Sequence, residues 1–378
     1  MKNKVIAALM AALCLWLAAC TQTIPPEGET DAPEVSAAEA APKLNKSRTI
    51  TDLGGNVVEI PAVSEIERVV VISPPLMSFV VEAIPDTKVI VGINGRSFTT
   101  SNKTIVDKVF ANWKSVDTTF IDASFAVNTE SLLKLSPDII FYYGNVQKEG
   151  LGNIGIPSVD FFSKDLSGPE DFSVAWDVLL REIFGLDPSA GQKQEWERTN
   201  EAVSALLQQK PETKSALCIA SNIAGSIVVS GQDSFDSSAQ SFFDISGIRN
   251  VAEGLNGTVE VSMEQIYQWN PDMIFVFRDA PASSILSNTI DGQDWSRLSA
   301  WKNKAIYDIP RTTYSWVTPC ADCSLLPMWL VSKAYPGLVS EDEVREEVSQ
   351  FYQRRYGVSM TCYSRARSLS FKDHTEAT

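Results

Sequence analysis

Two segments of this chain are built to one plan, and no other feature of the sequence restricts its fold as tightly. The first reads Asn128-Thr-Glu130-Ser-Leu-Leu-Lys-Leu-Ser-Pro137-Asp138-Ile-Ile-Phe-Tyr-Tyr143; the second reads Ser262-Met-Glu264-Gln-Ile-Tyr-Gln-Trp-Asn-Pro271-Asp272-Met-Ile-Phe-Val-Phe277. Glu, Pro and Asp recur at one offset of 134 residues. In each copy a polar cap and a glutamate open a short amphipathic helix, Pro-Asp ends it, and an apolar run forms a buried strand. Two copies so far apart imply two lobes of similar construction.

The pattern around each copy is α/β. In the first half, Arg68–Ile72, Lys88–Gly92, Ile139–Tyr143 and Pro157–Phe161 read as strands, preceded by a hairpin over Thr49–Ile60 that turns at Gly54-Gly55. In the second half, Ser215–Ala220, Ser226–Ser230, Met273–Phe277 and Ala305–Ile309 read as strands. Short buried strands alternating with helices indicate mostly parallel sheets. One helix spans Pro169 to Phe184 and ends at Gly185; a second runs from about Pro188 to Gln209 on an apolar stripe that includes Trp196, Val203, Leu206 and Leu207. The expected fold is therefore α/β, with two similar lobes, each a mostly parallel sheet flanked by helices, joined by one long helix. The expected boundaries are 48–186 for the N-terminal lobe, 187–210 for the linking helix and 211–363 for the C-terminal lobe.

The ends of the chain read differently. Lys2 and Lys4 precede an uncharged apolar run from Val5 to Ala19, a secretory signal pattern (1–19) too short and wrongly flanked for a spanning helix. The run ends in Leu17-Ala18-Ala19-Cys20, which resembles the lipobox of bacterial lipoproteins. That resemblance implies cleavage before Cys20 and acylation of its sulfur, so the chain is expected outside the cytoplasm, lipid-anchored to a bacterial membrane. Thr21, not Asp, follows the cysteine, which by the sorting pattern of such lipoproteins does not favour retention at an inner membrane. Residues 20–47 are then anchor and flexible tether, rich in Pro, Glu, Ala, Thr and Ser and too poor in large apolar residues to offset their ordering entropy. Residues 364–378 form a polar tail.

A formal charge of −15 argues against nucleic acid and anionic lipid surfaces as partners. The single histidine, His374, lies in the tail, so the sequence offers no Ser-His-Asp triad and no His-rich set for a bare divalent metal. A Walker loop and a Gly-x-Gly-x-x-Gly fingerprint are also missing. The expectation is a non-enzyme with no cofactor. Export permits disulfides. Cys218, Cys320, Cys323 and Cys362 are the candidates, with Cys320–Cys323 and Cys218–Cys362 preferred on sequence proximity. A redox role for Cys320-Ala-Asp-Cys323 lacks the strand-to-helix setting of thioredoxin-like motifs.

With the two Glu…Pro-Asp-strand copies stand Ser246-Gly-Ile-Arg-Asn250-Val-Ala, Trp301-Lys-Asn-Lys-Ala-Ile-Tyr307-Asp-Ile-Pro310 and Met328-Trp329-Leu-Val-Ser-Lys-Ala-Tyr335-Pro336. In order and spacing these resemble the iron-complex substrate-binding proteins of ABC importers, whose two lobes are joined by a single rigid helix. The resemblance covers roughly Thr49 to Phe351. It implies a monomer that captures a metal chelate (ferric siderophore first, haem second, then corrinoid or a molybdate-type oxyanion) and hands it to a permease and its ATPase. It also implies that Glu130 and Glu264, one per lobe, face basic residues of the permease; the competing role for each is stabilisation of its own helix N-terminus. A bilobed surface sensor or a hydrolase is the alternative of another class.

Ligands in open α/β sheets sit beyond the carboxyl ends of strands. That rule selects Ser73–Met77, Asn94–Ser97 and Tyr142–Asn145 in the first lobe, and Ser221-Asn222, Arg278-Asp279 and Arg311–Trp316 in the second. Arg96 and Arg278, one from each lobe, are suited to clamp an anion through paired N–H donors, with an ion pair to Asp279 as the competing role for Arg278. Tyr142, Tyr143, Tyr314 and Trp316 are candidates to line the cleft, although alternation lets only one of Tyr142 and Tyr143 face it. Arg311 is the weaker candidate, since Asp308 or the loop backbone competes for it.

Overall fold

The computed structural model describes residues 46–360 except Pro85, Pro188, Ala224, Phe235 and Asp236. Cys20, most of the expected tether, Cys362 and the tail fall outside the described residues. The body opens with the antiparallel hairpin β1 (Arg48–Thr51) and β2 (Val57–Ile60), turning where Gly55 holds φ at +81°. The N-terminal lobe continues through β3 (Val69–Val71), α1 (Leu76–Ala83), β4 (Ile90–Ile93), α2 (Arg96–Thr99), α3 (Lys103–Val109), α4 (Thr129–Lys134), β5 (Ile139–Tyr142), α5 (Gly144–Leu151) and β6 (Ser158–Asp160). Its sheet has the order β4-β3-β5-β6 and every pairing is parallel. All three residues of β3 and all four of β5 are buried, which is why these strands read as continuous apolar runs.

Two long helices follow, α6 (Gly168–Phe184) and α7 (Gln192–Leu207), packed against each other. Proline at the start and left-handed Gly185 at the end delimit α6. Trp176, Leu179, Leu180 and Ile183 of α6 enter the N-terminal core, whereas Trp196 and Val203 of α7 enter the C-terminal core. The joint between lobes is thus a helix pair, with the expected linker helix as its second member.

The C-terminal lobe contains β7 (Lys214–Ile223), β8 (Ser226–Ser230), α8 (Ala239–Ile245), β9 (Ile248–Asn250), β10 (Thr258–Val261), α9 (Met263–Trp269), β11 (Met273–Val276), α10 (Ala282–Leu286), α11 (Ser299–Lys302), β12 (Ile306–Asp308), α12 (Leu326–Ala334) and α13 (Glu341–Tyr356). Its sheet runs β10-β8-β7-β11-β12, with β9 also on β7. The pairings β7–β11, β11–β12 and β7–β9 are parallel, as expected for a mostly parallel sheet, while β7–β8 and β8–β10 add an antiparallel margin on one side. Strands β9 and β10 are additional to the sequence reading. Both are short, and β10 is a half-exposed edge carrying Glu260, so neither shows a buried apolar run.

The repeated Pro-Asp has the same job in both lobes. Asp138 Oδ2 accepts from the backbone N–H of Glu67 and of Arg68, each at 2.8 Å, at the entrance to β3. Asp272 Oδ2 accepts from the N–H and hydroxyl of Ser215, each at 2.8 Å, at the start of β7. One carboxylate thus ties the end of a helix–turn to the start of the neighbouring strand and sets the register of the central pair. The caps repeat as well, since Asn128 and Ser262 accept from the N–H groups of Ser131 and Gln265.

Candidate functional site

A cavity of about 820 Å³ lies between the lobes, at the carboxyl ends of the strands in both sheets. From the N-terminal lobe, Ser73 follows β3, Arg96 follows β4, and Tyr143 and Gln147 follow β5. From the C-terminal lobe, Phe277 and Arg278 follow β11, and Tyr314 follows β12. Phe162, Phe172 and Trp176 make an aromatic wall on the N-terminal side. Opposite it, Asp233, Gln240, Ser241 and Asp244 make a polar wall around the start of α8.

Both predicted arginines reach the cavity. Arg96 Nη1 donates to the Ala123 carbonyl at 3.3 Å, and its guanidinium lies 5.6 Å from the centre of the Phe125 ring. Arg278 Nε donates to the Ala220 carbonyl at 3.3 Å and lies 4.8 Å from the Phe277 ring centre. Ring contact and one carbonyl each steady these groups without cancelling their charge. Neither pairs with a carboxylate among the described residues, and Asp279 instead accepts from the Ser221 hydroxyl at 2.5 Å. Tyr314 lies within the field of both arginines; burial pushes its phenol up, opposed by a hydrogen bond to Thr100 and by the two positive charges.

Tyr143 lines the cavity, its phenol pushed up to about 12 by burial and then by Asp160. Tyr142 does not: alternation turns it to the other face of the sheet, among Val70, Ile72, Phe120 and Leu132. Trp316 is also not a cleft residue. It is fully buried in the C-terminal core, where its indole N–H donates to the Thr312 hydroxyl at 2.6 Å. Arg311 is absorbed by the backbone, donating to the Phe277 carbonyl at 2.6 Å, and burial lowers its pKa to about 10 despite Asp308.

Glu130 and Glu264 are exposed in the first turns of α4 and α9, and Glu130 meets Lys134 at 2.8 Å. Cys218, Cys320 and Cys323 are buried free thiols, so the expected Cys320–Cys323 bridge is not formed in this structure. Cys320 Sγ donates to the Ser315 carbonyl and Cys323 Sγ faces the Ser173 hydroxyl at 3.3 Å. Burial raises the Cys320 thiol well above its ordinary value, the opposite of what a redox nucleophile requires. Among the described residues, no group of three or more His, Cys, Asp or Glu side chains is arranged to hold a metal ion.

The strand-end rule found the loop of Ser73 and the arginines. It missed the aromatic wall, because Phe172 and Trp176 sit on a long amphipathic helix where nothing local separates a core face from a cleft face.

No protein-family model matches the chain. The molybdate-binding protein MolA of Haemophilus influenzae is 28% identical over 115 residues, which are 30% of this chain and 32% of that protein. The match therefore spans about a third of this curated relative. Among solved structures, a periplasmic solute-binding protein of Veillonella parvula superposes with a TM-score of 0.69 at 26% identity, covering 84% of this chain and 95% of that one. MolA with molybdate bound superposes with a TM-score of 0.65 at 21% identity, over 82% of this chain and 98% of that one. These superpositions show that the chain has the two-lobed α/β fold of the class III periplasmic solute-binding proteins.

Proposed function

We propose that this protein is an extracytoplasmic receptor that captures an anionic metal chelate, ferric siderophore before haem, and delivers it to an ABC permease and its ATPase. One observation carries the reading: two arginines, one per lobe, present guanidiniums without carboxylate partners to a cavity walled by aromatic rings. An anion bound there gains charge-assisted donors from both lobes at once, so binding draws the lobes together. A volume of about 820 Å³ suits a chelate of drug-like size, and the aromatic wall supplies apolar area for its organic shell. A molybdate-type oxyanion is the second reading, favoured by the sequence match to a molybdate-binding protein.

Delivery requires the receptor to stay near its permease. Lipid on Cys20 and the tether after it would confine the body to a membrane surface and raise its effective concentration there. Glu130 and Glu264, exposed at equivalent points of the two lobes, would orient docking. Trp176 lines the cleft, so its fluorescence serves as a reporter. Titration with ferric siderophores, haemin, cyanocobalamin and molybdate should quench it saturably with micromolar or tighter affinity for a chelate. Binding of none tighter than millimolar would end the capture reading, and binding of molybdate alone would select the second.

A further inference from the structure

Three neighbouring strands of the N-terminal sheet, in the order β4-β3-β5, each end on a hydrogen-bond donor at the cavity. Arg96 stands after β4. Ser73, only 2% exposed, stands after β3, and its hydroxyl has no partner among the described residues. Gln147, only 3% exposed, stands in the first turn of α5 after β5. Its Oε1 accepts from the Tyr143 N–H at 2.8 Å, which fixes the orientation of the amide. The amide nitrogen is left without an acceptor among the described residues, on a side chain that lines the cavity. Neither Ser73 Oγ nor the Gln147 amide nitrogen is among the enclosed, unpaired polar atoms, so both open on the cavity, and a bound solute that excludes water from them must accept from them or leave them unpaired.

Resting on the capture reading above, we infer that Ser73 and Gln147 are specificity-determining residues: with Arg96 they form an arc that seats the deprotonated, oxygen-rich end of the solute on the N-terminal lobe. The two neutral donors add direction to the charge of Arg96, because a hydroxyl and a locked amide satisfy oxygen lone pairs only from fixed positions. The aromatic wall then takes the remainder of the solute. The class selected is an oxygen-ligated metal chelate or an oxyanion; a ligand presenting only apolar edges to this arc would leave both donors unpaired.

The test uses the full chain in detergent micelles, with the ferric tris-catecholate complex and molybdate as oxygen-rich probes. Gln147→Glu keeps the acceptor for Tyr143 N–H but replaces the donor by an anion, while Ser73→Ala removes one neutral donor. With the probe that the unaltered protein binds, Ser73→Ala should weaken binding about tenfold and Gln147→Glu about a hundredfold or more at pH 7.5. Acidification to pH 5 should narrow the Gln147→Glu deficit, measured against the unaltered protein at the same pH, because a protonated carboxyl donates. The Ser73→Ala deficit should not change with pH. A packing role alone would not produce that pH profile. If the unaltered protein binds and both variants match it, or the Gln147→Glu deficit is the same at both pH values, the assignment of the arc is overturned while capture stands. If the unaltered protein binds neither these probes nor haemin nor cyanocobalamin, the capture reading falls and the arc with it.

Discussion

The joint between the lobes carries a buried carboxylate, and its titration is expected to make the stability of the fold depend on pH near neutrality. Glu82 on α1 meets Arg355 of α13 and, at 3.6 Å, Arg181 of α6; Asp177 and Glu195 also face it from α6 and α7, and Tyr356 lies nearby. One of its oxygens, Oε2, has no hydrogen-bond partner. Burial raises its pKa from 4.5 to about 7, the arginines opposing and the two carboxylates adding to the effect. Between those values the folded protein holds a proton that the unfolded chain has released, so stability from this group is full below pH 4.5 and is lost as pH rises to about 7. At about 1.4 kcal/mol per tenfold change in acidity, the loss reaches roughly 3 kcal/mol by pH 8. Glu82→Gln mimics the protonated form. Urea unfolding of variant and parent across pH 4.5–8 should give equal stabilities at the acid end and a variant more stable by up to about 3 kcal/mol at pH 8. Parallel curves, or a variant that loses ground as pH rises, would refute the reasoning and show that Arg355 and Arg181 keep Glu82 ionised throughout.

Other perturbations separate cleft from scaffold. Arg96→Ala and Arg278→Ala should each weaken solute binding by about 1.5–3 kcal/mol, roughly ten- to hundredfold, with thermal midpoints little changed, as read by tryptophan quenching and calorimetry. Asp138→Ala and Asp272→Ala should each destabilise by about 1–3 kcal/mol in urea unfolding, since each strands two donors at a strand start. Trp316→Ala should destabilise by about 3–5 kcal/mol through the void it leaves in the C-terminal core; a weakened affinity at unchanged stability would instead return it to the cleft.

The sequence by itself determined the elements that depend on neighbours along the chain. The Asn128 and Ser262 caps, the Pro-Asp stops, the Gly55 turn and the fully apolar β3, β5 and β11 are local, and their repetition revealed two lobes and the ends where a ligand would sit. Only the tertiary structure decided which side of a strand or helix meets the cleft. Tyr142 and Tyr143 are alike in chemistry and adjacent in sequence, yet one packs under the sheet and the other lines the cavity. Trp316 leaves its strand-end loop for the core, while Trp176 packs in the N-terminal core and also borders the cavity, because a strand-end loop can fold inward and a core helix can show one face to the cleft. The antiparallel margin of the C-terminal sheet and the charge cluster around Glu82 were likewise not legible. Their partners are brought together only when strands pair and lobes pack, and no spacing along the chain encodes which distant group will meet them.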